Sequence, residues 1–168
     1  WRPETDGPTR TPEQVEQLAA TEERNRLWKM RHGAYSACIA SRPGCMGLVT
    51  DVCVPISRLA EAVAQARALI AAAGLTGPIL GHVGDGNFHA ILLLDRDNPA
   101  ELATAKQVAH DLAAMALAMG GTITGEHGIG LGKRTMMAEE HGPAWAVMGA
   151  IKAALDPLNI LNPGKLVP

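Results

Sequence analysis

Residues 78–94 read PILGHVGDGNFHAILLL. Two apolar runs, PILGHV (78–83) and FHAILLL (88–94), flank the polar stretch GDGN at 84–87. Apolar runs bounded by Gly, Asp and Asn read as two strands joined by a turn. With 84–87 as a four-residue connection, Val83 pairs with Phe88 and His82 with His89. Directly paired residues share a face, with Cβ atoms roughly 4.5–5.5 Å apart. Two imidazoles at that separation can chelate one metal ion. Leu80, Ile91 and Leu93 fall on the same face. The bland readings also stand at this point. Strand histidines are often hydrogen-bonded core residues, and Asp-Gly and Gly-Asn are ordinary turn chemistry. Against the first, two buried neighbouring imidazoles repel when both are protonated.

Working outward, LVTDVCV (48–54) has the β-branched residues of a strand. PISRLAEAVAQARALIAAAG (55–74) is an amphipathic helix, with Leu59, Val63, Ala66, Leu69, Ile70 and Ala73 at spacings of three and four, and Gly74 as its stop. Asn98-Pro99 opens a second long helix carrying Leu102, Val108, Leu112, Met115 and Met119, ended by Gly120-Gly121. Thr122-Ile123-Thr124 is a short strand, and two helical pieces follow near 133–141 and 143–155. The order strand, helix, strand, strand, helix, strand is the ferredoxin-like βαββαβ pattern. The expected fold class is therefore α+β: an antiparallel sheet with helices on one face, plus C-terminal helices. Ahead of it, residues 1–10 read as a linker or loop. Thr11-Pro12 caps a helix that runs past Trp28, with Val15, Leu18, Leu27, Trp28 and Met30 on its apolar side, and Gly33 bends or ends it.

Composition narrows the function classes. With 168 residues and 47% hydrophobic content, the chain suits one domain with a real core. Net charge is −2, which leaves no basic footprint for nucleic acid. No run of roughly 18 apolar residues suggests a membrane span, and no signal peptide is visible. The three cysteines, Cys38, Cys45 and Cys53, have no CxxC spacing. That points away from a disulfide framework or a cysteine zinc site and toward a reducing compartment. A bacterial cytoplasmic location follows as the expectation, with membrane association of a parent protein left open. The chain begins Trp1-Arg2-Pro3 and has only 3% aromatic residues. It reads as part of something longer, with apolar surface meant for a neighbour.

A second cluster bears on the histidines. Residues 120–134 read GGTITGEHGIGLGKR, placing Glu126-His127 among six glycines. Glycine at that density suits unusual backbone conformations or close approach to a ligand. Two neutral histidines and a carboxylate make a three-ligand set with open positions, as in catalytic zinc and non-haem iron sites. His127, beside the carboxylate, is available as a general base. The bland alternative is a flexible glycine loop. In a plain ferredoxin-like order the end of the fourth strand lies far from the hairpin. Glu126 then reaches His82 and His89 only if the strand order differs or the glycine loop folds back across the face.

GHVGDGNFH (81–89), GEHGIGLGK (125–133) and DPLNILNPGK (156–165), in that order, resemble the C-terminal part of the FAD-linked oxidases that act on 2-hydroxy acids. That family includes D-lactate dehydrogenases, the glycolate oxidase D subunit and D-2-hydroxyglutarate dehydrogenases. LWKMRHGAYSA (27–37), RPGCMG (42–47) and TDVCVPISRL (50–59) look most like the D-lactate dehydrogenase branch. The resemblance implies an N-terminal FAD-binding domain, absent from this chain, and a cap domain of which residues 11–168 form a part. His82, His89 and Glu126 match the ligands of a divalent metal, usually taken as zinc. His127 matches the general base, Arg31 an arginine that pairs with the substrate carboxylate, and Asn162 an asparagine near the flavin. Tyr35, one turn beyond Arg31, is a candidate lining residue, and Asp51 and Lys133 are candidate supporting residues. The implied chemistry is oxidation of a 2-hydroxy acid to a 2-oxo acid. The metal stabilises the developing alkoxide, His127 takes the hydroxyl proton, and hydride passes to FAD. Members acting on larger diacids carry a lysine just before the segment that reads here Val49-Thr50-Asp51, where this chain has valine. That favours a small monocarboxylate such as D-lactate or glycolate. Without the FAD-binding domain the isolated chain is not expected to turn over. The electron acceptor stays unknown and oligomerisation open. The rival readings are a flavin-independent metalloenzyme and a structural metal-binding module.

Overall fold

The computed structural model describes residues 21–167. The linker expected over 1–10, the helix start at Thr11-Pro12, and Val15 and Leu18 lie outside the described residues. The chain divides into two compact units, Trp1–Ser41 and Arg42–Pro168. The described residues of the first form one helix, α1 (Thr21–Ala40). It runs unbroken through Gly33, where a bend or end was expected. One helical glycine costs about 1 kcal/mol relative to alanine, and Ala34, Ala37 and Ala40 after it favour helix. The helix ends just before Pro43, where the Ser41 amide and hydroxyl both bond the Cys38 carbonyl, at 3.2 and 2.6 Å.

In the second unit, β1 (Cys45–Val49) and β2 (Val52–Cys53) lead through a short 3-10 turn (Ile56–Arg58) to α2 (Leu59–Ala72). Next come β3 (Ile79–His82), β4 (Asn87–Asp95) and α3 (Pro99–Ala118). A 3-10 turn (Arg134–Met136), α4 (Met137–His141) and α5 (Ala144–Leu155) complete it. The sheet is built on β4, which pairs antiparallel with β1, β2 and β3. Asn87 pairs with Cys53 of β2 and with His82 of β3, so those strands take opposite edges. The expected strand at 122–124 is reduced to one bridge, Thr122 with Cys53. Counted as the sequence counts them, the order across the sheet is fourth, first, third, second.

Alternation along β4 separates two faces. Phe88, Ala90, Leu92 and Leu94 join the core with Val52, Val54 and Ile123. Against them pack Ala62, Ala66 and Ile70 of α2, and Ala105, Val108, Leu112 and Ala116 of α3. Alanine at the contacts lets both helices lie close to the sheet. Each fully buried Leu or Phe contributes roughly 1.5–3 kcal/mol. Asn98 caps α3, its side-chain oxygen accepting from the Ala100 and Glu101 amides at 3.1 and 3.2 Å. Asn87, His89, Ile91 and Leu93 point to the other face.

The hairpin register differs from the expected one. His82 pairs with Asn87, and Leu80 with His89. The connection is therefore Val83-Gly84-Asp85-Gly86, closed by the Asp85 amide on the His82 carbonyl at 2.9 Å. The cause is Gly86, at φ +76°, where an added Cβ would run into the Val54 carbonyl oxygen. The left-handed turn has to end there, and Asn87 starts the strand. The shift is two residues, an even number, so His82 and His89 keep a common face as diagonal neighbours.

Candidate metal and acid–base site

β3 and β4 place the two histidines, and a loop brings the rest. The rings of His82 and His89 lie 6.0 Å apart, edge to face. Their Nε2 atoms converge on one carboxylate oxygen, Glu126 Oε1, at 3.2 and 3.0 Å. His127 stacks on His89 with centroids 4.8 Å apart and planes 9° from parallel, its Nε2 4.0 Å from the same oxygen. One ligand atom each from His82, His89 and Glu126 fits within 4.8 Å, and so does one each from Asp51, His89 and His127. His89 is largely buried; Glu126 and His127 are open to solvent. The structure thus brings His82, His89, Glu126 and His127 together.

The loop arrives because the fourth strand stops early. After the single bridge at Thr122, the chain leaves the sheet edge at the level of the hairpin and turns over the histidine face. It is tied there by Asp51, which is 1% exposed. Asp51 Oδ2 accepts from the Thr124 hydroxyl at 2.8 Å and from the Gly125, Glu126 and His127 amides at 2.9, 3.0 and 2.8 Å. Lys133 Nζ donates to the Asp51 carbonyl at 2.6 Å and lies 3.7 Å from Oδ2. Burial alone would raise the Asp51 carboxyl. The His127 amide, the Thr124 hydroxyl and the Glu126 amide outweigh it, and with the Lys133 charge they hold it at about 2. Burial pushes the Lys133 ammonium down, partly offset by Asp51. Gly125 sits where an added Cβ would meet the Asn87 side chain at 2.5 Å.

Asp51 reaches His89 because β1 and β2 share one register along β4, Val49 with Ile91 and Val52 with Phe88. Continued through the gap, that register sets Asp51 opposite His89. Ala90 N donates to Thr50 Oγ1 at 2.9 Å rather than to the Thr50 carbonyl. The freed carbonyl lies 3.2 Å from His89 Nδ1, and Asp51 Oδ1 lies 3.5 Å from it. Two buried side-chain oxygens, Asp51 Oδ1 and Asn87 Oδ1, have no hydrogen-bond partner among the described residues.

Sequence reasoning gave Asp51 and Lys133 only a supporting place and missed Thr50, Asn87 and Thr124. The available signal was a polar Thr-Asp pair inside a strand-like run. Arg31 and Tyr35 are carried by α1, in the other compact unit; Arg31 lies over the Trp28 ring, 5.9 Å from its centroid. Asn162 is exposed in the tail, in a left-handed turn with φ 48°, and its carbonyl accepts from Lys165 N at 3.3 Å. The tail is tied behind the glycine loop by Arg134 on the Gly164 carbonyl at 2.7 Å and by Leu166 N on the Gly130 carbonyl at 3.3 Å. Among the described residues no helix is long and apolar enough to cross a membrane.

A solved structure, 4-ethylphenol oxidase from Gulosibacter chungangensis in complex with isoeugenol, shares the fold. Its TM-score is 0.63 at 18% identity, over 95% of this chain and 31% of that one. Sequence likeness is stronger. A probable mitochondrial D-lactate dehydrogenase of Danio rerio is 53% identical over 147 residues, 87% of this chain and 30% of that protein. The glycolate oxidase subunit GlcD of Bacillus subtilis (strain 168) is 37% identical over 154 residues, 89% of this chain and 32% of that protein. The chain thus spans about a third of the length of these relatives. The family model of FAD linked oxidases, C-terminal domain, matches residues 10–166. The sheet, the histidine hairpin and the Glu-His loop all fall inside that match, and the chain belongs to the family of FAD linked oxidases through their C-terminal domain.

Proposed function

We propose that residues 11–168 form part of the cap of an FAD-dependent D-2-hydroxyacid dehydrogenase. Its substrate would be a small monocarboxylate, D-lactate or glycolate, oxidised to the 2-oxo acid. The observation that carries this reading is the convergence of His82 Nε2 and His89 Nε2 on Glu126 Oε1, with His127 stacked alongside. Both imidazole Nε2 atoms address one carboxylate oxygen, at 3.2 and 3.0 Å, distances that suit a shared cation as well as an N–H donor. Two imidazoles and a carboxylate suit a divalent ion such as zinc. His82, His89 and Glu126 would hold it. When bound, such an ion supplies Lewis-acid stabilisation of negative charge on a substrate oxygen. FAD supplies the two-electron acceptor.

The chain's own residues do the rest. His127 Nε2 takes the substrate hydroxyl proton; its ring faces the ligand carboxylate and stays open to solvent. Arg31 presents a guanidinium fork to the substrate carboxylate, a geometry that fixes orientation as well as charge. Tyr35 lines the same site, and Asn162 contacts the flavin. The partner is the FAD-binding domain of the parent protein. Exposed apolar side chains support such a neighbour: Val147, Ile151 and Leu155 run along α5 at four-residue spacing, and Leu158, Ile160 and Leu161 continue them. The free thiols of Cys38 and Cys53 suit a reducing, cytoplasmic setting.

The test is His127→Gln in the intact flavoprotein, followed by dye reduction with D-lactate. Loss of a base should lower kcat by about 10²–10⁴-fold, with flavin and metal content as in the native protein. Unchanged turnover would remove His127 from the chemistry and favour a purely structural metal-binding module.

A further inference from the structure

The glycine loop ends on two consecutive cations that are anchored to different elements. Lys133 Nζ donates to the Asp51 carbonyl in the sheet half of the site at 2.6 Å. Arg134 Nη1 donates to the Gly164 carbonyl in the C-terminal tail at 2.7 Å. We propose that Arg134 is a positioning residue of the site. It seats the tail turn that carries Asn162 against the loop that carries Glu126 and His127, so that the two move as one body. The mechanical coupling stands on hydrogen bonds alone. Its consequence for turnover rests on the proposed roles of Asn162 at the flavin and of His127 as base.

Arg134 is a fixed post. It opens the 3-10 turn Arg134–Met136, and Met136 and Met137 behind it are buried in the core. Its guanidinium holds the tail at Gly164, and the tail in turn holds the loop, the Leu166 amide donating to the Gly130 carbonyl at 3.3 Å. Trp145 of α5 fixes Leu166 on its other side: the indole Nε1–H donates to the Leu166 carbonyl at 3.0 Å. Val167, next in the chain, is buried. Leu166 has φ +61°, a left-handed conformation that a bulky side chain adopts only where its surroundings impose it. The tail is therefore locked in place. Within the loop, Asp51 ties the near limb, residues 124–127, and the tail ties the far limb at Gly130. The Thr124 hydroxyl joins the limbs, lying 2.8 Å from Asp51 Oδ2 and 3.2 Å from the Gly128 carbonyl. Cβ atoms added at Gly128, Gly130 and Gly132 would meet nothing within 4 Å. Backbone hydrogen bonds, with Ile129 packed on the core, hold this limb. A shift of the tail at Gly164 thus passes through Leu166 and Gly130 to His127, three residues from Gly130.

The experiment is amide hydrogen exchange in the intact flavoprotein, with steady-state kinetics on D-lactate alongside. Arg134→Met keeps the aliphatic stem and removes the donors. We expect exchange to speed up by about 10-fold or more at Leu166 and also at the Gly125, Glu126 and His127 amides, as loss of a charged hydrogen bond implies. In the same variant kcat should fall by about 10-fold, as for a small displacement of a reacting group. KM and bound flavin should stay near native, and the flavin absorption spectrum should shift as Asn162 moves. Arg134→Lys, which keeps a cationic donor for Gly164, should recover most of the exchange protection and of kcat. Trp145→Phe releases Leu166 from its other tie and should speed exchange at the same loop amides; it decides the matter if Arg134→Met does not fold. Faster exchange confined to residues 162–167, or native exchange and kcat in Arg134→Met, overturns the proposal. If tail and loop amides respond together but the native protein oxidises neither D-lactate nor glycolate, the coupling stands and the proposed function fails.

Discussion

At the scale of single residues, the site depends on positions where the backbone cannot tolerate a side chain. Gly86 ends the hairpin connection with a left-handed φ of +76° and no room for a Cβ beside the Val54 carbonyl. Gly84, two positions earlier in the same connection, has open space around it. Gly86→Ala should therefore destabilise by more than about 2 kcal/mol and lower zinc uptake, because the register of His82 against β4 depends on it. Gly84→Ala should stay within about 0.5 kcal/mol of native. Urea unfolding of the two variants checks the contrast, and equal stabilities would refute the account of the turn. The glycines and histidines were visible as a pattern in the sequence. Which glycine set the register was not, because that depends on the Val54 carbonyl, contributed by a chain segment some thirty residues earlier.

At the scale of elements, the tail after α5 is held by one carboxylate. Asp156 accepts from the Ile160 and Leu161 amides at 3.0 and 2.9 Å and pairs with Lys152, which also donates to the Leu161 carbonyl at 2.7 Å. The Lys152 hydrogen bond outweighs burial and keeps the Asp156 carboxyl below its ordinary value. A depressed folded-state pKa contributes stability that is fully present above the ordinary carboxylate value near 4 and is lost as pH falls through the folded value. Hydrogen-exchange protection of the Ile160 and Leu161 amides should accordingly hold down to about pH 4 and be lost as the pH falls further. In Asp156→Asn that protection should be low and independent of pH. The helices and strands were legible from periodicity and caps, α3 down to its Asn98-Pro99 start. The fourth strand was not, because Thr122-Ile123-Thr124 has strand composition. Only Asp51 waiting on the face, with four donors to collect, pulls the chain off the edge after one bridge.

At the scale of the whole molecule, the second unit has its own core, yet α5 and the tail leave a row of apolar side chains exposed. If the flavin domain covers that row, Ile151→Glu in the intact protein should reduce flavin retention and speed proteolysis between the domains. Zinc content should stay near native under the proposed ligand set, since His82 and His89 lie on the sheet face and Glu126 on the loop over it. Native flavin retention in that variant would place the domain contact elsewhere. The sequence by itself determined the α+β order of elements, the common face of His82 and His89, and membership of the flavin-linked family. Those follow from local periodicity, from the two-residue repeat of a strand and from motifs contiguous in the chain. Tertiary structure alone decided the hairpin register, the fold-back of the Glu126-His127 loop and the central place of Asp51. Each of these depends on a hydrogen bond or a steric limit between residues roughly 30 to 75 positions apart, a distance over which no local pattern in the chain carries the information.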